Sequence, residues 1–171
     1  MKLLSATFEN VLGLNGQISF EENKPLLIYG DNIAGKSNII NMLRYCLIPK
    51  AKTRKAYVEE KRLKKNEILL ESNSQGRIEI FFEQENTFYR LSYTFSRKTK
   101  SVGEVLKLFE GQKTIIPTED DPRCQALKKI EWQDLGVKSL KSLRENLLEI
   151  GIYPEIIVEE KFYNLIYDKV S

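Results

Sequence analysis

Gly30-Asp31-Asn32-Ile33-Ala34-Gly35-Lys36-Ser37 fits the spacing G-x-x-x-x-G-K-[ST]. Each constrained residue type has a chemical use at its place. The glycines let the loop wrap closely, so that backbone N–H groups point inward at phosphate oxygens. A helix starting at Lys36 aims its unpaired N–H groups and positive dipole end at the same anion. Lys36 reaches the β- and γ-phosphates of a nucleotide, and Ser37 places its hydroxyl on Mg²⁺. Gly30, Asp31, Asn32, Ile33, Ala34, Gly35 and Asn38 complete the cradle, and the cofactors implied are ATP and Mg²⁺. The plain alternative is a glycine turn between a strand and a helix, with Lys36 and Ser37 as ordinary first-turn residues.

Such a cradle needs a strand before it and a helix after it. Leu26-Leu27-Ile28-Tyr29, closed by Gly30, reads as a strand buried on both faces. After the loop, Ile39, Leu43, Cys46 and Leu47 make one helical stripe that Pro49 ends. Upstream, Leu4, Ala6 and Phe8 alternate along a strand, residues 10–16 turn, and residues 17–20 alternate again. Downstream the period of two returns over residues 77–82. Gln84-Glu85-Asn86 turns, and Tyr89, Leu91, Tyr93 and Phe95 form a stripe that reads as sheet core rather than a base-stacking platform. Residues 105–109 and 114–116 flank Glu110-Gly111-Gln112-Lys113 as an expected hairpin. Residues 117–122 form a loop. Leu140, Leu143, Leu147 and Ile150 stripe a helix over 138–150, and residues 155–160 fit a final strand. The fold class expected is α/β. A mixed sheet surrounds the P-loop helix, an antiparallel β region occupies 77–116, and residues 1–171 make a single nucleotide-binding domain.

Composition narrows the chemistry. The chain has 171 residues, 42% of them hydrophobic, and no histidine, so His-based acid–base catalysis and His-rich metal sites are excluded. Two cysteines, Cys46 and Cys124, do not make a disulfide scaffold. Met1-Lys2-Leu3-Leu4 runs straight into Ser5 and Thr7 without the apolar stretch of a signal peptide, and no long apolar run suggests a membrane span. The expected location is cytoplasmic or chromosome-associated. Net charge is +3, yet eight basic residues lie between Lys50 and Lys65 against only Glu59 and Glu60. The rest of the chain is therefore net acidic. This basic loop, spanning 50–66, is either a contact for DNA phosphates, with Tyr57 as an anchor, or a solvated charged loop.

The chain resembles the N-terminal lobe of ABC-type ATPase heads in the SMC group, which includes chromosome-structure ATPases, the break-repair ATPase that partners a nuclease, and the RecF and RecN proteins. Phe8-Glu9-Asn10 after the first strand is similar to the group's K-N-F segment. Asn32 stands where its G-x-N-G-x-G-K-S has asparagine. Gly35-Lys36-Ser37-Asn38-Ile39-Ile40 continues its pattern, and Phe88-Tyr89-Arg90-Leu91 is similar to its Y-R-[IL] strand. There are departures. Ile33 replaces a glycine, and Ala34 a small polar residue. Val11-Leu12-Gly13 stands where the repair branch commonly has an arginine.

The resemblance puts Glu160 at the position of the Q-loop glutamine that contacts Mg²⁺ and the attacking water. A second reading takes Glu159 and Glu160 as the end of a degenerate Walker B, and a third as solvated glutamates at a strand end. No L-S-G-G-type signature and no convincing Walker B occur in the sequence. In the group these lie in a C-terminal lobe beyond a coiled coil, and two heads sandwich ATP. The resemblance therefore implies half of a head, inactive alone, with Lys36 and Glu160 contributing to catalysis and Ser37 and Glu160 to the metal. Its partners would be a C-terminal lobe, in the same protein or in trans, and a second head in an ATP-bridged homodimer; no membrane partner is implied. A self-contained small P-loop kinase and a non-hydrolysing nucleotide-bound scaffold remain the competing readings. The consecutive antiparallel strands weigh against the kinase.

Overall fold

The computed structural model describes residues 1–21, 26, 28, 35–48, 63–115 and 126–152. Among them, six strands form one sheet in the order β2-β1-β3-β4-β5-β6. They are β1 (Lys2–Val11), β2 (Leu14–Ser19), β3 (Gln75–Gln84), β4 (Thr87–Lys98), β5 (Ser101–Gln112) and the two-residue β6 (Gln133–Asp134). The helices α1 (Lys36–Leu47) and α2 (Leu140–Glu149) accompany them, with a helical turn at 126–128 and a short 3-10 turn at Lys65–Glu67. The α/β class holds. All pairings between described strands are antiparallel, so the mixed sheet expected around the P-loop helix does not appear among the described residues. Leu27 and Tyr29, half of the strand expected at 26–29, lie outside them. So do Gly30–Ala34, residues 50–62, the loop at 117–122, and the final strand with Glu159 and Glu160.

Two turns are closed by left-handed backbone. Val11 pairs with Leu14 across Leu12-Gly13, both with positive φ (50° and 74°). Gln84 pairs with Thr87 across Glu85-Asn86, at 47° and 65°. Positive φ at both central residues gives the turn a twist that matches its flanking strands. The first of these corrects the expected broad turn over 10–16. Strand pairing instead continues to Val11 and Leu14, with a bulge on β1 where Asn10 (φ 50°) donates its N–H to Asn15 Oδ1 at 3.0 Å.

The hairpin expected around residues 110–113 is also corrected. Residues 101–112 form one uninterrupted strand paired along its whole length with β4, and the turn lies at Thr99-Lys100. Gly111 serves close approach instead of a turn. A Cβ there would stand 3.0 Å from Ile130 Cγ2 and from the Trp132 ring.

The alternating strands divide the core by face. Phe8 of β1, Ile80 of β3, Leu91 and Tyr93 of β4 and Leu108 of β5 join Met42, Leu43, Cys46 and Leu47 of α1 in one buried cluster, with Leu143 and Leu147 of α2. The aromatic stripe of β4 is thus core, as its period implies. On the other face Leu4, Phe81, Phe88 and Leu127 form a smaller cluster beneath Ile130 and Trp132. Leu4 therefore parts from Ala6 and Phe8, whose face it was expected to share. The register against β3 slips between Leu3 and Ser5, and one extra residue reverses the parity. That face also holds an ion pair: Glu79, 5% exposed, receives Arg90 Nε at 2.7 Å and Arg77 Nη2 at 2.5 Å. α2 is capped by Ser139, whose side chain accepts from the Ser142 N–H at 3.1 Å.

Gly76 of β3 tests this packing. A Cβ there would meet Asn10 O at 2.8 Å and Leu69 Cδ2 at 2.6 Å. Since the first contact is backbone, Gly76→Ala is expected to lower unfolding free energy by about 1–3 kcal/mol. A chemical-denaturation midpoint unchanged from the native chain would contradict the close approach.

Candidate functional site

The described part of the G-x-x-x-x-G-K-[ST] segment is its end, Gly35, Lys36, Ser37 and Asn38. Gly35 caps α1 with φ 82° and ψ 12°, a left-handed conformation that a side chain would strain. The Asn38 and Ile39 N–H groups donate to Gly35 O at 3.0 and 3.3 Å, which closes the first turn. No side chain caps this terminus, and the first turn holds no acidic residue. The donor set is main-chain N–H at a positive dipole end, with a lysine and a serine on the first turn. That chemistry suits a phosphate anion. Ser37 is exposed, while Lys36 and Asn38 are half-buried.

What aims this terminus is the far half of α1. Met42, Leu43, Cys46 and Leu47 are buried against the sheet, so the stripe expected from the sequence gains Met42, while Ile39 is only partly buried. Tyr93 O–H donates to Cys46 O at 3.3 Å. Tyr45 O–H donates to Glu104 Oε2 on β5 at 2.6 Å, and its ring meets Tyr93 edge-on with centroids 5.9 Å apart. The helix is thereby tied to two neighbouring strands near its C-terminal end.

Its first turn is tied to the tip of the β1–β2 hairpin. Asn38 Nδ2 donates to Leu12 O at 3.2 Å, and a Cβ on Gly35 would touch Leu14 Cδ2 at 3.4 Å. Sequence reasoning placed Asn38 in the cradle by position. The structure engages its side chain with Leu12. Leu12 itself was noted only as the occupant of an absent arginine's place. Its role is carried by main-chain atoms, for which a sequence holds no signal. Gly35, Lys36 and Ser37 stand at the start of α1. Glu160, Gly30, Asp31, Asn32, Ile33, Ala34 and most of the basic loop fall outside the described residues, so nothing is placed for them.

The hairpin tip and the helix start thus share one corner of the sheet. A family model described as an AAA domain matches residues 7–152, which takes in both. The chain belongs to the AAA domain family. A stretch of 76 residues, 44% of this chain, is 34% identical to a protein of Thermoplasma volcanium named "DNA double-strand break repair Rad50 ATPase". That stretch covers 8% of the relative's length, so the chain corresponds to a small part of it. Both findings bear out the resemblance to SMC-like ATPases. No helix among the described residues of this AAA domain is long and apolar enough to cross a membrane.

Cys46 offers an electrostatic probe of how tightly α1 is seated. Burial pushes its thiol well above the usual range, and the Glu104 carboxylate adds to the shift. Above pH about 9 the unfolded chain releases this proton and the folded AAA domain does not. The unfolded state then binds fewer protons, so the contribution of Cys46 to stability is complete below that pH and declines as pH rises. Urea midpoints measured from pH 7.5 to 10 should fall more steeply for the native chain than for Cys46→Ala. Parallel curves would show that Cys46 is not held as a neutral thiol.

Proposed function

We propose that this AAA domain is the ATP-binding lobe of an SMC-like ATPase head acting in DNA repair or chromosome organisation. The observation that carries the proposal is Gly35: left-handed, at a helix terminus that no side chain caps, and at the end of a G-x-x-x-x-G-K-S segment. In this reading the chain is a P-loop NTPase lobe, and residues 1–171 are one nucleotide-binding domain. ATP with Mg²⁺, when bound, supplies the phosphoanhydride and the bridging charge. The chain's own part is to hold it. Gly30 to Gly35 wrap the phosphates with main-chain donors, the α1 terminus meets their charge, Lys36 neutralises the terminal oxygens and Ser37 orients the cation. Asn38 contributes its N–H side of the turn while its amide braces Leu12. Glu160 is the proposed polar contact to metal and water.

Hydrolysis in this reading requires a second lobe with signature and Walker B motifs, and two heads that sandwich the nucleotide. The basic stretch from Lys50 to Lys65 is the proposed contact for DNA phosphates. The family match and the Rad50-named relative support the ATPase class and the link to repair. The antiparallel run β3–β4–β5 favours this reading over a small kinase, whose strands usually alternate with helices.

Calorimetric titration with ATP·Mg²⁺, beside a multiple-turnover assay, tests the reading. The native chain should bind, and Lys36→Ala should weaken binding about tenfold or more through loss of a charge-assisted contact. Neither should turn over. Brisk turnover by the monomer would overturn the half-head assignment, and absence of binding by the native chain would remove the nucleotide site.

A further inference from the structure

Leu12 joins two places that are far apart in sequence. Its C=O accepts from Asn38 Nδ2 on the first turn of α1 at 3.2 Å. Its N–H donates to Ile68 O at 2.7 Å. Ile68 follows the 3-10 turn Lys65–Glu67 at the C-terminal end of the basic stretch. Packing repeats the hydrogen bonds on both sides of the tip. A Cβ on Gly13 would stand 3.3 Å from Leu70 Cδ1, and one on Gly35 would stand 3.4 Å from Leu14 Cδ2.

The segment beyond Ile68 is itself held. Arg97 of β4 donates from Nη2 to Leu69 O and Leu70 O, both at 2.9 Å, and from Nε to Asn73 O at 3.2 Å. The Val102 N–H of β5 donates to Asn66 Oδ1 at 3.0 Å. Residues 64–74 are therefore a braced unit, linked by hydrogen bonds to the first turn of the P-loop helix through Leu12 of the hairpin tip.

We propose that Asn38 is a positioning residue that couples occupancy of the α1 terminus to the order of residues 64–74, through the Leu12 backbone. The proposal rests on the nucleotide reading for the identity of the occupant; the connection itself rests on the hydrogen bonds. An anion at the α1 terminus fixes the first turn, the Asn38 amide then holds Leu12 O more constantly, and the Leu12 N–H follows toward Ile68. Coupling of this kind is reciprocal, so loosening 64–74 also weakens binding at the terminus.

Hydrogen exchange on the full chain reads the coupling directly, at the Leu12 amide and across 64–74, with and without saturating ATP·Mg²⁺. In the native chain nucleotide should slow exchange there about tenfold. In Asn38→Ala, at its own saturating concentration, the slowing should vanish. Gly13→Ala is a second variant outside the nucleotide machinery; its φ of 74° and its 3.3 Å contact push the tip off Leu70, and it should bind ATP yet transmit no protection. Amides of Ile80 and Leu91, in the buried middle of β3 and β4, serve as the control for global stability. If ATP binds the native chain but protection stops at α1, the coupling is overturned and the nucleotide reading stands. If ATP does not bind, the nucleotide reading fails and the nucleotide-free comparison decides. Faster exchange at Leu12 and 64–74 in Asn38→Ala upholds the connection, and unchanged exchange overturns it.

Discussion

A helix can present its terminus to an anion only if the rest of it cannot move. Everything about the candidate site depends on the seat of α1 against the inner face of the sheet. Met42, Leu43, Cys46 and Leu47 bury against Phe8, Ile80, Leu91 and Tyr93, and burial of a leucine or methionine side chain contributes about 1.5–3 kcal/mol. The polar contacts are fewer and serve direction. Tyr93 and Tyr45 fix the C-terminal half, while Asn38 fixes the first turn. Gly35, which has no Cβ, takes the left-handed conformation at the start of this helix without strain.

The sequence made legible those features that have a local cause. The loop spacing named Gly35, Lys36 and Ser37, and a period of 3.6 residues found both helices. A period of two found β3 and β4, whose turn carries Asn86. Features decided by contact between distant segments were not legible. Thr99-Lys100 turns without glycine, proline or positive φ, so nothing marked it, while Gly111 looked like a turn and is a strand residue beneath Trp132. Leu4 lost its expected face to a one-residue bulge that no composition rule anticipates. The importance of Leu12 lies in its peptide group, which every residue shares.

The two comparisons and the geometry bear on different parts of the assignment. The family match spans residues 7–152 and so takes in most of the sheet and the corner where α1 meets the hairpin tip. The repair-named relative shares a shorter stretch and is mostly a protein this chain does not contain. The comparisons therefore support the ATPase class, while turnover and DNA contact rest on the proposed function.

The sheet's strand order has a consequence for length. β3, β4 and β5 are joined by two-residue turns, so adding a residue there would shift a register and move every side chain to the wrong face. β1 instead pairs with β3 across a closure that contains β2, α1 and the entire basic stretch. No turn sets the β1–β3 register, which rests on the alternation of side chains along the two strands and on the extra residue at Leu4.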